Sequence, residues 1–267
     1  MRARRVVVGL VVAGMFTAAP AGAKILKTKR PHEYRPLALN VGSGFEYETD
    51  GEETEYGFPF LVEYGITRAL KVSVEPSYHV LKRKDGATVK GAGDLETTLT
   101  WEFPIERRYR PGFALEAAVK WPTAKKGDLG TGKADYTLGA IVNKEFTRVD
   151  LDLNAAYTFV GDPPGLQLRD VFEASLAAEW HLSPLFDVEA EVVSAFGAAG
   201  RFFGQPGTIG GFANIGGPEQ GKSETDFTLG LAEHLSDRFK LQEGAILKAG
   251  GSLQAVVAWE YDFGEGN

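Results

Sequence analysis

From residue 37 to residue 263 the sequence alternates large apolar residues with polar or small ones, segment after segment. A chain with a period of two turns successive side chains to opposite faces, so each segment is a strand with one apolar and one polar face. In residues 56–66, Tyr56, Phe58, Phe60, Val62, Tyr64 and Ile66 share a face, opposite Gly57, Glu63 and Gly65. Residues 95–103 set Leu95, Leu99, Trp101 and Phe103 against Glu96, Thr98, Thr100 and Glu102. Leu253, Val257, Trp259, Tyr261 and Phe263 end the series in strict alternation. About twelve such segments follow one another. The weakest lies at 239–247, because Glu243 falls on its apolar face.

Strands of roughly 10 to 13 residues suit a tilted membrane crossing, whereas strands of soluble proteins run nearer five or six. Aromatic residues gather near the segment ends (Tyr56, Tyr78, Trp101, Trp121, Tyr157, Trp180, Trp259), where a lipid–water interface would hold them. Short turns at 67–68, 147–148, 183–184 and 236–237 alternate with longer connections at 49–54, 81–92, 122–133, 161–169 and 197–222. That rhythm belongs to barrels of the bacterial outer membrane. The expected fold is all-β, a closed antiparallel transmembrane β-barrel of about twelve up-and-down strands over residues 37–263, with a C-terminal tail at 264–267. A soluble periplasmic barrel or sandwich is the alternative.

Residues 1–23 read as a signal peptide: Arg2, Arg4 and Arg5, an apolar stretch from Val6 to Phe16, and the small-residue pattern Ala21-Gly22-Ala23. Residues 24–36 are then expected as a periplasmic N-terminal segment. No later stretch reaches 18 uncharged apolar residues, which excludes helical membrane spans. The chain has no cysteine, which removes disulfides, thiolate nucleophiles and cysteine-based metal sites together. Its formal net charge of −7 becomes more negative once the arginine-bearing leader is gone, and no basic patch is interleaved with aromatics, so nucleic acid is not an expected partner. The expected partners are the lipid bilayer of the outer membrane, the barrel-assembly machinery and a small-molecule solute.

The polar, inward face is acidic. It includes Glu63, Asp94, Glu96, Glu116, Asp135, Glu189, Glu191 and Asp226, against few bases such as Lys71, Lys120 and Lys248. A narrow lumen focuses such a field and favours cations in any conduction. The other reading is a filled barrel in which these carboxylates are hydrogen-bonded packing. Asp135-Tyr136-Thr137-Leu138-Gly139 is echoed by Asp226-Phe227-Thr228-Leu229-Gly230, with Gly93-Asp94-Leu95 a weaker relative. Asp94, Asp135 and Asp226 should therefore lie near the external rim, either as a cation-collecting ring or, the favoured reading, as strand-start residues bonding loop amides.

Residues 197–222 hold nine glycines in 26 residues, yet also Phe202, Phe203, Ile209, Phe212 and Ile215. Arg201, Phe202, Phe203 and Phe212 are candidates for a constriction over the mouth; an external loop or partner-binding patch is the other reading. The pairs His181-Leu182-Ser183 and His234-Leu235-Ser236, with Ser77 two residues from His79, raise the question of hydrolase chemistry. Parity points all three histidines inward, away from a lipid substrate, so they read as structural. The four histidines share no ligand spacing, so no metal site, catalytic residue or cofactor is expected.

Residues 130–161, GTGKADYTLGAIVNKEFTRVDLDLNAAYTFVG, carry a Gly-Thr-Gly loop, an Asp-Tyr-Thr-Leu-Gly strand start and the strand ending Asn154 to Gly161. In these motifs, and more loosely in strand count and loop rhythm, the chain resembles the MetA-pathway phenol-degradation family of outer-membrane proteins. The resemblance implies an outer-membrane channel or transporter for small molecules, including hydrophobic or aromatic compounds, and no enzyme activity. A non-conducting barrel for structure or surface binding is the alternative. The ending Phe263-Gly264-Glu265-Gly266-Asn267 departs from the terminal aromatic of many such barrels.

Overall fold

The computed structural model describes residues 25–29, 37–49, 53–103, 111–125, 129–162, 168–197, 224–248 and 251–264. Fourteen β-segments form one sheet: β1 (Leu39–Thr49), β2 (Glu53–Gly65), β3 (Leu70–Glu75), β4 (Ser77–Arg83), β5 (Thr88–Ala92), β6 (Leu95–Phe103), β7 (Gly112–Trp121), β8 (Asp135–Glu145), β9 (Val149–Phe159), β10 (Val171–Ser183), β11 (Phe186–Phe196), β12 (Glu224–Ser236), β13 (Phe239–Leu247) and β14 (Leu253–Asp262). β3 with β4, and β5 with β6, are single barrel strands in two pieces, which makes twelve strands.

The interruptions have local causes. Pro76 has no N–H for the ladder, but its carbonyl still accepts from the Phe60 amide at 2.9 Å. On the other flank the register slips by one residue, from Leu70↔Trp101 to Tyr78↔Ala92, as in a β-bulge. The slip falls at Gly93, where a Cβ would strike the Ser77 hydroxyl and the His79 ring. A glycine is what lets these strands close.

β1 pairs with β14 from Asn40↔Asp262 to Thr49↔Leu253 and with β2 on its other side, so the sheet joins itself into a closed antiparallel barrel. The weak segment at 239–247 is a full strand, β13, although Glu243 stands between Leu231 and Val257. Pairing on both flanks outweighs one charge on the wrong face.

Burial is inverted relative to a soluble protein. On the outer face Trp101, Leu138 and Leu229 are more than half exposed, while inside the barrel Glu96, Asp135 and Glu189 are at most 1% exposed. Apolar out and polar in is the arrangement lipid demands. Aromatic pairs mark both ends of the outer band, Tyr157–Phe159 at one (ring centroids 5.0 Å apart) and Trp101–Phe103 and Tyr261–Phe263 at the other (4.7 Å each). The end with the short turns at 146–148, 184–185 and 237–238 is the periplasmic one by the rule that such barrels follow.

One segment is not where its position in the sequence suggested. Residues 25–29, expected in the periplasm as part of the 24–36 segment, lie inside the barrel: Ile25 and Thr28 are 2% and 6% exposed. The acidic interior supplies the reason, because Lys27 and Lys29 find their counter-charges there.

Candidate functional site

The lumen wall is built from the inward residues of every strand, and the segment Ile25–Lys29 runs across it. At one end Ile25 packs with Ile246, Val256 and Ala258 of β13 and β14. It sits over Gly230 and Gly244, where added Cβ atoms would come within 3.3 Å and 2.9 Å of its side chain. The two glycines form its seat. In the middle, Glu191 of β11 accepts from the amides of Lys27 (3.2 Å) and Thr28 (2.5 Å), and the Thr28 hydroxyl lies 2.8 Å from Ser175 Oγ. Lys27 Nζ stands 3.3 Å from Asp226 on β12. At the far end Lys29 Nζ reaches Glu116 on β7 at 3.1 Å, while the Asn154 amide, oriented by its neighbours, brackets the Lys29 backbone at 3.0 and 2.5 Å. Five residues thus touch walls from β7 round to β14, and both lysines among them meet a carboxylate.

The eight carboxylates singled out in the sequence all face this interior, at separate levels. Near the external end Asp94 and Asp135 share Lys120, whose Nζ is 3.4 Å from Asp94 Oδ2 and 2.6 Å from Asp135 Oδ2. Their other oxygens accept loop amides, Ala124 N to Asp94 (2.9 Å) and Gly161 N to Asp135 (2.8 Å). Asp226, the third of the echoed strand starts, is joined to Lys27. Glu96 lies opposite Glu75 on one side and Lys120 on the other, and Glu63 pairs with Lys71 at 3.5 Å near the turn that joins β2 to β3. Glu116 and Glu191 hold the crossing segment. Glu189 is fully buried and accepts from Lys240 Nζ (3.0 Å) and Gln242 Nε2 (2.9 and 3.0 Å). Arg201, Phe202, Phe203 and Phe212 lie outside the described residues.

At the periplasmic end the histidines form a cluster that spacing along the sequence did not disclose. Asp187 of β11 stands between two imidazoles: His181 Nδ1 is 2.9 Å from its Oδ1 and His234 Nε2 is 2.5 Å from its Oδ2. The other nitrogen of His181 lies 3.2 Å from Asp150 Oδ2. Strand pairing alone brings these residues together, with Glu179 opposite Asp150 and His181 opposite Asp187. His79, by contrast, is buried by itself with Glu55 Oε1 at 3.4 Å. The polar partners of all three rings are carboxylates, which is not the arrangement of a serine nucleophile and its base.

No protein-family model matches the chain, and no curated protein matches it, so the likeness of residues 130–161 to the phenol-degradation family stays a resemblance. Among solved structures, the chain is similar to the COG4313 outer membrane channel from Pseudomonas putida F1, with a TM-score of 0.66 and 14% identity over 86% of this chain and 97% of that one. It is also similar to the NanC porin (TM-score 0.55, 10% identity, 84% and 98%) and the KdgM porin (0.53, 7%, 84% and 99%). The shared feature is the fold. It is the fold of outer-membrane channels and porins.

Proposed function

We propose that the chain is an outer-membrane channel for the passive passage of small molecules, exported through cleavage of residues 1–23 and selective for cations. The observation that carries this reading is the inverted burial: an apolar belt outside a closed barrel whose interior presents Glu63, Glu96, Glu116, Glu189 and Glu191. The fold it shares with channels and porins supports it. The resemblance of residues 130–161 extends it to hydrophobic or aromatic solutes. In this reading the segment Ile25–Lys29 narrows the lumen, and Lys27 and Lys29 cancel part of its field.

Planar bilayers under a KCl gradient test the proposal. The reversal potential should favour potassium, and deleting residues 24–29 should raise conductance several-fold and strengthen that preference. A potential favouring chloride sinks the selectivity. The segment lying across the lumen favours a second reading, a non-conducting barrel. Liposome swelling with solutes of graded size separates the two, because a barrel without a path stays impermeable even after the deletion.

A further inference from the structure

The cluster at the periplasmic mouth has a chemistry that conduction does not use. One ligand atom from each of Asp150, Glu179 and His181 lie within 4.8 Å of one another. We propose that His181, Asp150 and Glu179 bind a divalent first-row transition ion such as Zn2+, with Asp187 as the positioning residue and His234 behind it.

The donor set fits that class of ion. An imidazole nitrogen with two carboxylates matches the three-protein-ligand sites of zinc, which leave a further position for water. Two donors, each about 2.0–2.1 Å from a tetrahedral ion, stand about 3.3 Å apart; His181 Nε2 and Asp150 Oδ2 are 3.2 Å apart. Asp187 then has the role that a carboxylate takes behind a metal-bound histidine. By accepting from Nδ1 at 2.9 Å it fixes the ring and turns the Nε2 lone pair toward Asp150. His234 anchors the other oxygen of Asp187.

The site is rigid and open to ions. Its residues come from neighbouring strands in fixed register: Asp150 from β9, Glu179 and His181 from β10, Asp187 from β11 and His234 from β12. The His181 side chain is 35% exposed while those of Asp150 and Glu179 are 7% and 9% exposed, so an ion arriving from the periplasm meets the ring first. Lys240 competes for Glu179. Its Nζ lies closer to Glu189 (3.0 Å) than to Glu179 Oε2 (3.5 Å), and Glu179 Oε1, 3.9 Å from His181 Nδ1, would swing toward Nε2 to complete the set.

The test uses the mature barrel refolded in detergent, stripped with chelator and titrated with ZnCl2 by calorimetry, with metal content measured after dialysis. One zinc per barrel is expected. Affinity should fall at least tenfold in His181→Gln and in Asp150→Asn, fall several-fold in His234→Gln, and stay unchanged in His79→Gln. Heat-modifiable gel migration reports which variants are folded, and Asp150→Asn serves if His181→Gln does not fold. Millimolar Mg2+ should not displace the zinc, since magnesium prefers oxygen donors. Absence of stoichiometric zinc, equal affinity in wild type and both ligand variants, or displacement by Mg2+ overturns the site and leaves a plain histidine–carboxylate clamp. Binding is read without conduction, so this result and that of the channel test are independent.

Discussion

The two ends of the lumen neutralise their carboxylates in opposite ways. Near the external end one ammonium, Lys120, serves two acids, Asp94 and Asp135. At the periplasmic end two imidazoles, His181 and His234, serve one acid, Asp187. An ammonium is a compact charge with three donors and no lone pair, so the external arrangement is a fixed latch. An imidazole can give a proton, accept one or bind a metal, so the periplasmic arrangement can answer to what reaches it. The external latch holds loops with a permanent charge alone, whereas the periplasmic cluster sets adaptable imidazoles beside the permanent charge of Lys240.

If that contrast holds, the largest loss should follow Lys120→Met. It strands Asp94 and Asp135 in the interior, and breaking a buried pair in this way costs about 3–5 kcal/mol. The urea midpoint of the detergent-refolded barrel reads the loss, and adding Asp94→Asn and Asp135→Asn should recover much of it. Asp187→Asn should cost less, about 1–3 kcal/mol, since an amide can still accept from one ring. A loss equal to that of Lys120→Met would erase the distinction between latch and clamp. Gly230→Ala, between the two ends, should have the smallest effect on stability, about 1 kcal/mol. Its methyl would press on Ile25 at 3.3 Å, so a roughly twofold rise in bilayer conductance is expected as the crossing segment loosens; unchanged conductance would mean that Ile25 does not limit the path.

The barrel was legible in the sequence because a period of two with charged and apolar faces has few other solutions in lipid. Tyr56 to Ile66 and Leu95 to Phe103 show their outward face without a structure. Strand β13 was harder, since Glu243 breaks the pattern and the pairing that overrides it lies in β12 and β14. The inward carboxylates could be named, but their partners could not. Lys120 sits across a strand pairing from Asp135, and Lys27 lies 199 residues from Asp226. The histidine cluster was hidden for the same reason. His181 and His234 share a His-Leu-Ser triplet, but nothing in it says that the rings meet; they do so because β10, β11 and β12 are neighbours. The crossing segment left one trace, two lysines next to an apolar pair in Ile25-Leu26-Lys27-Thr28-Lys29, which fits an acidic lumen only once that lumen is known.

That segment is joined to β1 by the chain itself, and this changes what a solute competes against. A ligand tied to its site by a short tether is present at an effective concentration on the order of millimolar, however dilute the protein. Contacts as modest as Lys27 with Asp226 and Lys29 with Glu116 are therefore enough to keep the lumen occupied. A molecule that must take the same carboxylates has to outbid a resident that never diffuses away. In the channel proposed above, weak solutes would then be turned back by mass action rather than by pore size.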